Sequence, residues 1–101
     1  MQPELTTDVV ETLPKEAITG LHFAQRDVLS NLADRSRRRW EAERAATLGN
    51  AHHCKLDIYF QTSDGATKRV QTTVWAADGD HLTLKSGVSL PLRAVVGMDI
   101  Y

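Results

Sequence analysis

The segment KRVQTTVWAADGDHLTLKSGVSLPL, Lys68 to Leu92, decides the class of fold that the sequence predicts. Apolar residues alternate with polar ones along it, and two turns that contain glycine, Asp78-Gly79-Asp80 and Ser86-Gly87, divide it. A period of two is typical of β-strands with one buried face. Glycine beside aspartate or serine favours a tight turn. The segment therefore predicts a ribbon of short, turn-linked strands.

The same period continues on both sides of this segment. Residues 54–62 alternate before it and end in a turn at Ser63-Asp64-Gly65, and residues 95–101 form a short last strand after it. Pro91 cannot donate a backbone hydrogen bond, so we expect it at an edge or at the end of a strand. Five short strands would leave too many exposed edges as an open sheet. We therefore expect residues 50–101 to curl into a five-stranded small β-barrel.

Two aromatic side chains are predicted on the outer face of this barrel. Trp75 lies opposite the row formed by Val70, Thr72 and Val74. Tyr59 lies on the outer face of the preceding strand, where we expect it to be the cross-strand neighbour of Trp75. Either the helix covers Trp75, or Trp75 is exposed as a platform for a partner subunit, a peptide or a base.

Residues 14–49 are predicted to be helical and to cap the open end of the barrel. Apolar residues share one helical face between Ala17 and Leu32. Residues 34–50 have a strongly helical composition and end in Gly49-Asn50, a typical C-terminal stop. We expect one helix or two, with Trp40, Ala46 and Leu48 in contact with the barrel. Residues 1–13 are polar and acidic, which predicts a mobile tail.

The order of elements resembles a known family. A helix followed by five strands, with the run LPLRAVVGMDI at residues 90–100, resembles the Sm-like variety of the SH3-type barrel. More narrowly, residues 45–101 are similar to a group of small bacterial proteins, often from Bacteroidetes, that brings no known function with it. The resemblance implies an α+β fold, mainly β, in which a five-stranded barrel follows the helix. It also implies subunits that join edge to edge, strand four against strand five.

The family's RNA-binding elements do not occur in this sequence. One is aspartate-x-x-x-asparagine in the second turn, which here reads ADGDHLTL and contains no asparagine. The other is an arginine-glycine pair in a later turn, which here reads LKSGVSL. No RNA-binding residue is therefore assigned from the resemblance.

Composition and charge narrow the classes of protein. The net charge of −1 offers no general attraction to nucleic acid or to a membrane surface. No apolar run approaches the roughly 20 residues that a membrane-spanning helix needs, and the first residues lack the pattern of a secretory signal. A single cysteine, Cys54, excludes an internal disulfide, which is typical of a reducing compartment. We therefore expect a cytoplasmic protein without a membrane partner.

Candidate catalytic and metal-binding residues are few. His52, His53 and Cys54 are adjacent at the start of a strand, so their side chains alternate between faces and at most two reach one ion, whereas zinc sites use four ligands. Asp78 and Asp80 flank a turn glycine and are interpreted as turn residues. We expect no metal, no cofactor, no small-molecule substrate and no enzymatic activity.

The arginine-rich run is the strongest candidate for an interaction surface. It consists of Arg35, Arg37, Arg38, Arg39 and Trp40. Arginines beside an aromatic ring can grip phosphate and stack on a base, although acidic residues at helical i,i+4 spacing can neutralise them. Two interpretations stay open: a solvated, salt-bridged helix face, or a site for phosphate or an acidic partner.

These patterns lead to two hypotheses about function. The first is a non-catalytic interaction module that self-associates as a homo-oligomer or binds a protein partner. The second is a nucleic-acid-binding protein that binds RNA through the arginine-rich helix and the barrel surface. The candidate interaction surface contains seven residues: Arg35, Arg37, Arg38, Arg39, Trp40, Tyr59 and Trp75.

Overall fold

The computed structural model describes residues 10–100, which form an α+β fold with one long helix and seven short strands in two sheets. The helix is α1 (Leu32–His52). The strands are β1 (Glu11–Leu13), β2 (Leu56–Gln61), β3 (Thr67–Thr72), β4 (Val74–Ala77), β5 (His81–Leu84), β6 (Ser89–Pro91) and β7 (Val95–Ile100). Short 3-10 helices lie at Lys15–Gly20, Lys85–Gly87 and Leu92–Ala94.

The two sheets divide the strands unequally. The first sheet has the order β1-β3-β2-β7 and the second has the order β4-β5-β6. All neighbouring strands are antiparallel except β1, which runs parallel to β3. The prediction of a closed five-stranded barrel is therefore not confirmed, because the seven strands of residues 10–100 form two separate sheets that do not close.

A bend at Thr73 separates the two sheets. The alternation from Lys68 to the turn at Asp78-Gly79-Asp80 predicts one continuous strand, but β3 ends at Thr72 and β4 begins at Val74. Three consecutive residues are buried there, Thr72, Thr73 and Val74, which an alternating strand does not allow. The Thr73 carbonyl accepts a hydrogen bond from the Lys85 backbone instead of continuing the ladder. The chain therefore passes from one sheet to the other at this residue.

The core lies between the sheets and under α1. The alternation of residues 54–62 predicts one buried row of apolar side chains, and Leu56, Ile58 and Phe60 are fully buried. Their partners come from every part of the fold: Ile18, Ala42, Ala45, Val70, Val74, Leu82, Leu84, Val88, Leu90, Leu92 and Val95. The predicted turns are confirmed where Gly65 and Gly87 adopt positive φ angles of 86° and 83°.

The helix begins later than the sequence predicts. Residues 15–20 form a 3-10 helix and residues 21–31 are irregular, so the prediction that residues 14–49 are helical is wrong for residues 21–31. Tertiary contacts prevail over the local pattern here, because Phe23 bridges to Thr62 and the Ala24 backbone donates to the Gln61 carbonyl. α1 starts where Asn31 Oδ1 accepts hydrogen bonds from the backbone of the first turn.

α1 packs on the sheets through a narrow face that consists mostly of small residues. Its buried residues are Arg38, Ala42, Ala45 and Gly49, at the spacing of one helical stripe. The helix contacts β4 and, to a lesser extent, β7. At Gly49 the approach is so close that an added Cβ would overlap the Val74 carbonyl oxygen. Gly49 therefore permits packing rather than ending the helix, which continues to His52.

One further prediction concerns the N-terminal end of the chain. Glu11–Leu13 forms β1, so the prediction of a mobile tail over residues 1–13 is wrong for its last three residues. Its first nine residues lie outside the described part. Glu11 accepts a hydrogen bond from Lys68 Nζ at 2.8 Å, and Arg69 Nε donates to Thr12 Oγ1 at 2.8 Å. These bonds hold β1 to the edge of β3.

Candidate functional site

Arg38 is an internal anchor of the fold and not a surface residue. Its side chain is 6% exposed, and its guanidinium donates to both carboxylate oxygens of Asp27 at 2.8 and 2.6 Å. It also donates to the Val95 carbonyl at 3.0 Å. The hydrogen bonds from Arg38 hold the pKa of Asp27 below its usual value, despite partial burial. Arg38 thereby connects α1 to the loop before it and to the start of β7.

The other arginines of the run point in different directions around α1. Arg35 Nε donates to the Leu29 carbonyl at 2.6 Å and approaches Asp27 at 3.6 Å. Arg39 lies 3.6 Å from Glu43 on the exposed surface, where screening makes such a pair weak. The run is therefore not a single cationic patch, because Arg35 and Arg38 both turn toward Asp27 whereas Arg39 turns toward Glu43.

Trp40 lies on the face of α1 that is turned away from the sheets. Its side chain is 60% exposed, so the prediction that Trp40 contacts the barrel is wrong. The Arg44 guanidinium lies 5.7 Å from the centre of its ring, which is cation–π geometry. Of the other predicted contacts, Ala46 is half-buried and packs against the core, and Leu48 is half-buried. The fully buried contacts of the helix are the small residues Ala42 and Ala45, which allow it to approach closely.

Trp75 and Tyr59 lie on different sheets. Trp75 belongs to β4 and is 44% exposed, and its carbonyl accepts a hydrogen bond from Asn50 Nδ2 at 2.9 Å. Tyr59 belongs to β2, pairs with Arg69 and Gly97, and has the Arg69 guanidinium 6.0 Å from its ring centre. The prediction that the two aromatics are cross-strand neighbours is therefore wrong, because the bend at Thr73 moves Trp75 to the second sheet.

Three of the seven predicted interaction residues line one groove. We call it the α1–β7 groove; its volume is about 400 Å³. Its walls come from α1, the loop before α1, β2 and β7. The lining residues are Leu29, Asp34, Arg37, Arg38, Glu41, Tyr59, Val96, Gly97, Met98 and Asp99. Arg35, Arg39, Trp40 and Trp75 do not line it.

The strand that lines this groove is an end strand. Among residues 10–100, β7 pairs with β2 on one side and with no strand on the other. Arg38 donates a hydrogen bond to the Val95 carbonyl at the start of β7, and the groove runs along the next four residues, 96–99. Val96 is 38% exposed, although valine favours burial in a strand. An open strand edge beside exposed apolar side chains is the geometry that accepts a further strand.

The sequence did not indicate Val96, and the reason is an irregularity in β7. The register between β2 and β7 shifts between Tyr59 and Phe60, where Phe60 pairs with Val95 and Tyr59 with Gly97. This β-bulge turns Val96 outward, next to the fully buried Val95. The adjacent valines of the sequence were the available signal, because strict alternation cannot bury both.

Asp64 and Asp78 have shifted pKa values because their side chains accept hydrogen bonds within turns. The pKa of Asp78 is lowered because its side chain accepts hydrogen bonds from the Asp80 and His81 backbone at 2.7 and 2.8 Å. The pKa of Asp64 is lowered chiefly by the Thr62 hydroxyl. Within residues 10–100, no group of three or more His, Cys, Asp or Glu side chains is arranged to hold a metal ion.

Comparison with known proteins identifies no relative of this chain. Neither protein-family models, nor curated proteins, nor solved structures give a significant match to this chain. None of the helices in residues 10–100 combines the length and the apolar composition that crossing a bilayer requires.

Proposed function

We propose that this protein is a non-catalytic interaction module that binds an extended polypeptide segment in the α1–β7 groove. The observation that carries the proposal is the open edge of β7, which forms one wall of the groove together with the exposed Val96. A second copy of the chain or another protein supplies the segment.

Binding of this kind uses the backbone of β7. An incoming strand lies about 4.8 Å from an end strand and exchanges backbone hydrogen bonds with it, which gives affinity with little dependence on sequence. Side chains on one face of that strand would meet Met98, and those on the other face would meet Val96 and the exposed Asp99. Because Arg38 ties α1 to β7 beside the groove, the wall is in place before a partner arrives, which lowers the entropic cost of binding.

Self-association offers one source of the segment. β6 is the end strand of the second sheet, so its outer edge and that of β7 are both without a strand partner in residues 10–100. Pairing β6 of one copy with β7 of the next would give the edge-to-edge arrangement that the resemblance implies. β6 has only three residues and ends at Pro91, which lacks a backbone donor, so this contact would be short.

A strand-forming probe tests the proposal. We expect a capped peptide of alternating Thr and Val to shift the backbone amide resonances of Val96–Ile100 in the ¹⁵N-labelled protein. Val96→Lys should abolish those shifts, because lysine on an edge opposes strand addition. Trp75→Lys, on the other sheet, is the matched control and should bind as the natural chain does. Shifts on β1 or β6 alone, or equal binding by Val96→Lys, would contradict the proposal.

A second candidate function is binding of single-stranded RNA on the outer face of α1. The observation that favours it is the stripe Arg37, Trp40 and Arg44, at i, i+3 and i+7 spacing, with Arg44 over the exposed Trp40 ring. Exposed aromatics stack on bases and arginines bind phosphate. This candidate predicts retardation of a short oligouridine at low salt that Trp40→Ala weakens and Trp75→Ala does not. Equal retardation by both variants would exclude it.

A further inference from the structure

The α1–β7 groove carries an imbalance of charge that specifies its partner. Three acidic residues line it: Asp34 and Glu41 on α1, and Asp99 on β7. Arg38 also lines it, but Asp27 neutralises its guanidinium at 2.6 Å. Arg37 is the remaining cation. The groove is therefore negative by two charges, on a chain whose total charge is only −1.

These charges lie on both sides of the place that a strand would occupy. Asp34 and Glu41 are seven residues apart, about 10 Å along the helix axis. In an extended chain, residues two or four positions apart are about 7 or 13 Å apart, so two long basic side chains on one face of a strand reach both carboxylates. Asp99 is exposed near the end of β7 and lies on the opposite wall.

The chain itself has no strand that matches this groove. The four end strands of its two sheets are β1, β4, β6 and β7. Their sequences are ETL, VWAA, SLP and VVGMDI, and none contains lysine or arginine. The charge of the groove therefore disfavours β1, which carries an acid, and gives no advantage to β6.

From these observations we infer that the groove binds a basic segment of a different protein: an extended stretch in which lysine or arginine alternates with apolar residues. The inference rests on the proposed function, because it assumes that a strand adds to β7. The apolar side chains of the segment face Met98, and its cations lie on the face of Asp99, within reach of Asp34 and Glu41.

Three capped peptides of equal length test the inference: alternating Lys and Val, alternating Thr and Val, and alternating Glu and Val. Each is titrated into the full ¹⁵N-labelled chain at low and at physiological ionic strength. We expect the Lys peptide to bind about tenfold more tightly than the Thr peptide at low salt, because two or three exposed ion pairs contribute that much together. The advantage should shrink at physiological salt. The Glu peptide should bind more weakly than either.

Neutral variants of the groove separate this charge preference from strand binding. The triple variant Asp34→Asn, Glu41→Gln, Asp99→Asn should bind the Lys and Thr peptides equally. Glu43→Gln, on the outer face of the same helix, should keep the tenfold preference.

The results distinguish failure of the charge preference from failure of strand binding at β7. Equal binding of the Lys and Thr peptides at β7 by the natural chain would overturn the inference and leave the proposed function standing. No shift of β7 with any of the three peptides would overturn both. Concentration-dependent dimers in sedimentation velocity that Val96→Lys abolishes would identify a second copy as the occupant and overturn the inference alone.

Discussion

At the scale of single residues, Arg38 and Gly49 decide where α1 sits. Arg38 bridges Asp27 and the Val95 carbonyl, while Gly49 lets the helix backbone approach β4. Neither role is visible in the sequence, where Arg38 is one arginine among several and Gly49 has the form of a helix stop. Both positions depend on residues that are distant along the chain.

Replacing Arg38 should destabilise the protein strongly. Arg38→Ala removes the charged partner of the Asp27 carboxylate, which keeps its hydrogen bond from the Leu29 backbone, and the side-chain donor of the Val95 carbonyl. This should cost about 3 kcal/mol of unfolding free energy. Arg37→Ala, at an exposed position beside it, should change that free energy by less than about 0.5 kcal/mol. Urea denaturation followed by circular dichroism measures both. Similar midpoints for the two variants would show that the buried ion pair contributes little.

The ion pair between Asp27 and Arg38 should make the free energy of unfolding depend on pH. The pKa of Asp27 is lower in the folded chain than in the unfolded one, so the unfolded state binds the proton first as the pH falls. The stabilisation is complete above the unfolded pKa, near 3.8, and is lost as the pH falls through the folded value. Asp27→Asn should therefore be less stable than the natural chain at pH 7, and the difference should narrow below about pH 4. A constant difference over that range would contradict this assignment.

Gly49 provides a test of close packing. Gly49→Ala raises helix propensity by up to about 1 kcal/mol, but its methyl group would overlap the Val74 carbonyl, and overpacking of this kind costs about 1–3 kcal/mol. We expect a net loss of stability. Gly20→Ala, which meets no atom within 4 Å, is the control and should be neutral or stabilising. A Gly49→Ala variant more stable than the natural chain would show that α1 lies farther from β4.

At the scale of elements, the strands were largely predictable and the helix boundaries were not. Alternation identified the buried face of β2, and the turn residues located the hairpins, because both signals are local. The sequence could not reveal the bend at Thr73, the bulge in β7 or the parallel addition of β1, because partners far along the chain fix all three. For the same reason it indicated Arg37, Arg38 and Tyr59 in the groove but missed Val96 and Asp99.

The start of α1 is a local feature that can be tested directly. Asn31 Oδ1 accepts hydrogen bonds from the Ala33 and Asp34 backbone at 2.7 and 3.3 Å. Asn31→Ala should therefore lower the unfolding free energy by about 1 kcal/mol. Ser30→Ala, one residue earlier, should have little effect. If both variants unfold at the same denaturant concentration as the natural chain, the helix does not depend on this cap.

At the scale of the whole molecule, the fold leaves one open strand edge inside a groove with an acidic rim. Because the two sheets do not close, each has two end strands with unpaired backbone groups along one edge. Another chain can pair with such an edge. α1 is tied to β7 by Arg38 and forms the second wall of the groove beside it, which distinguishes this edge from those of β1 and β6.

Strand addition to β7 can be tested by intermolecular nuclear Overhauser effects between the bound Lys-Val peptide and the labelled protein. We expect contacts from peptide backbone protons to Val96, Gly97, Met98 and Asp99 in sequential order, as an added strand requires. Contacts to the outer face of α1 around Trp40, or to the edge of β6, without any to β7 would contradict it.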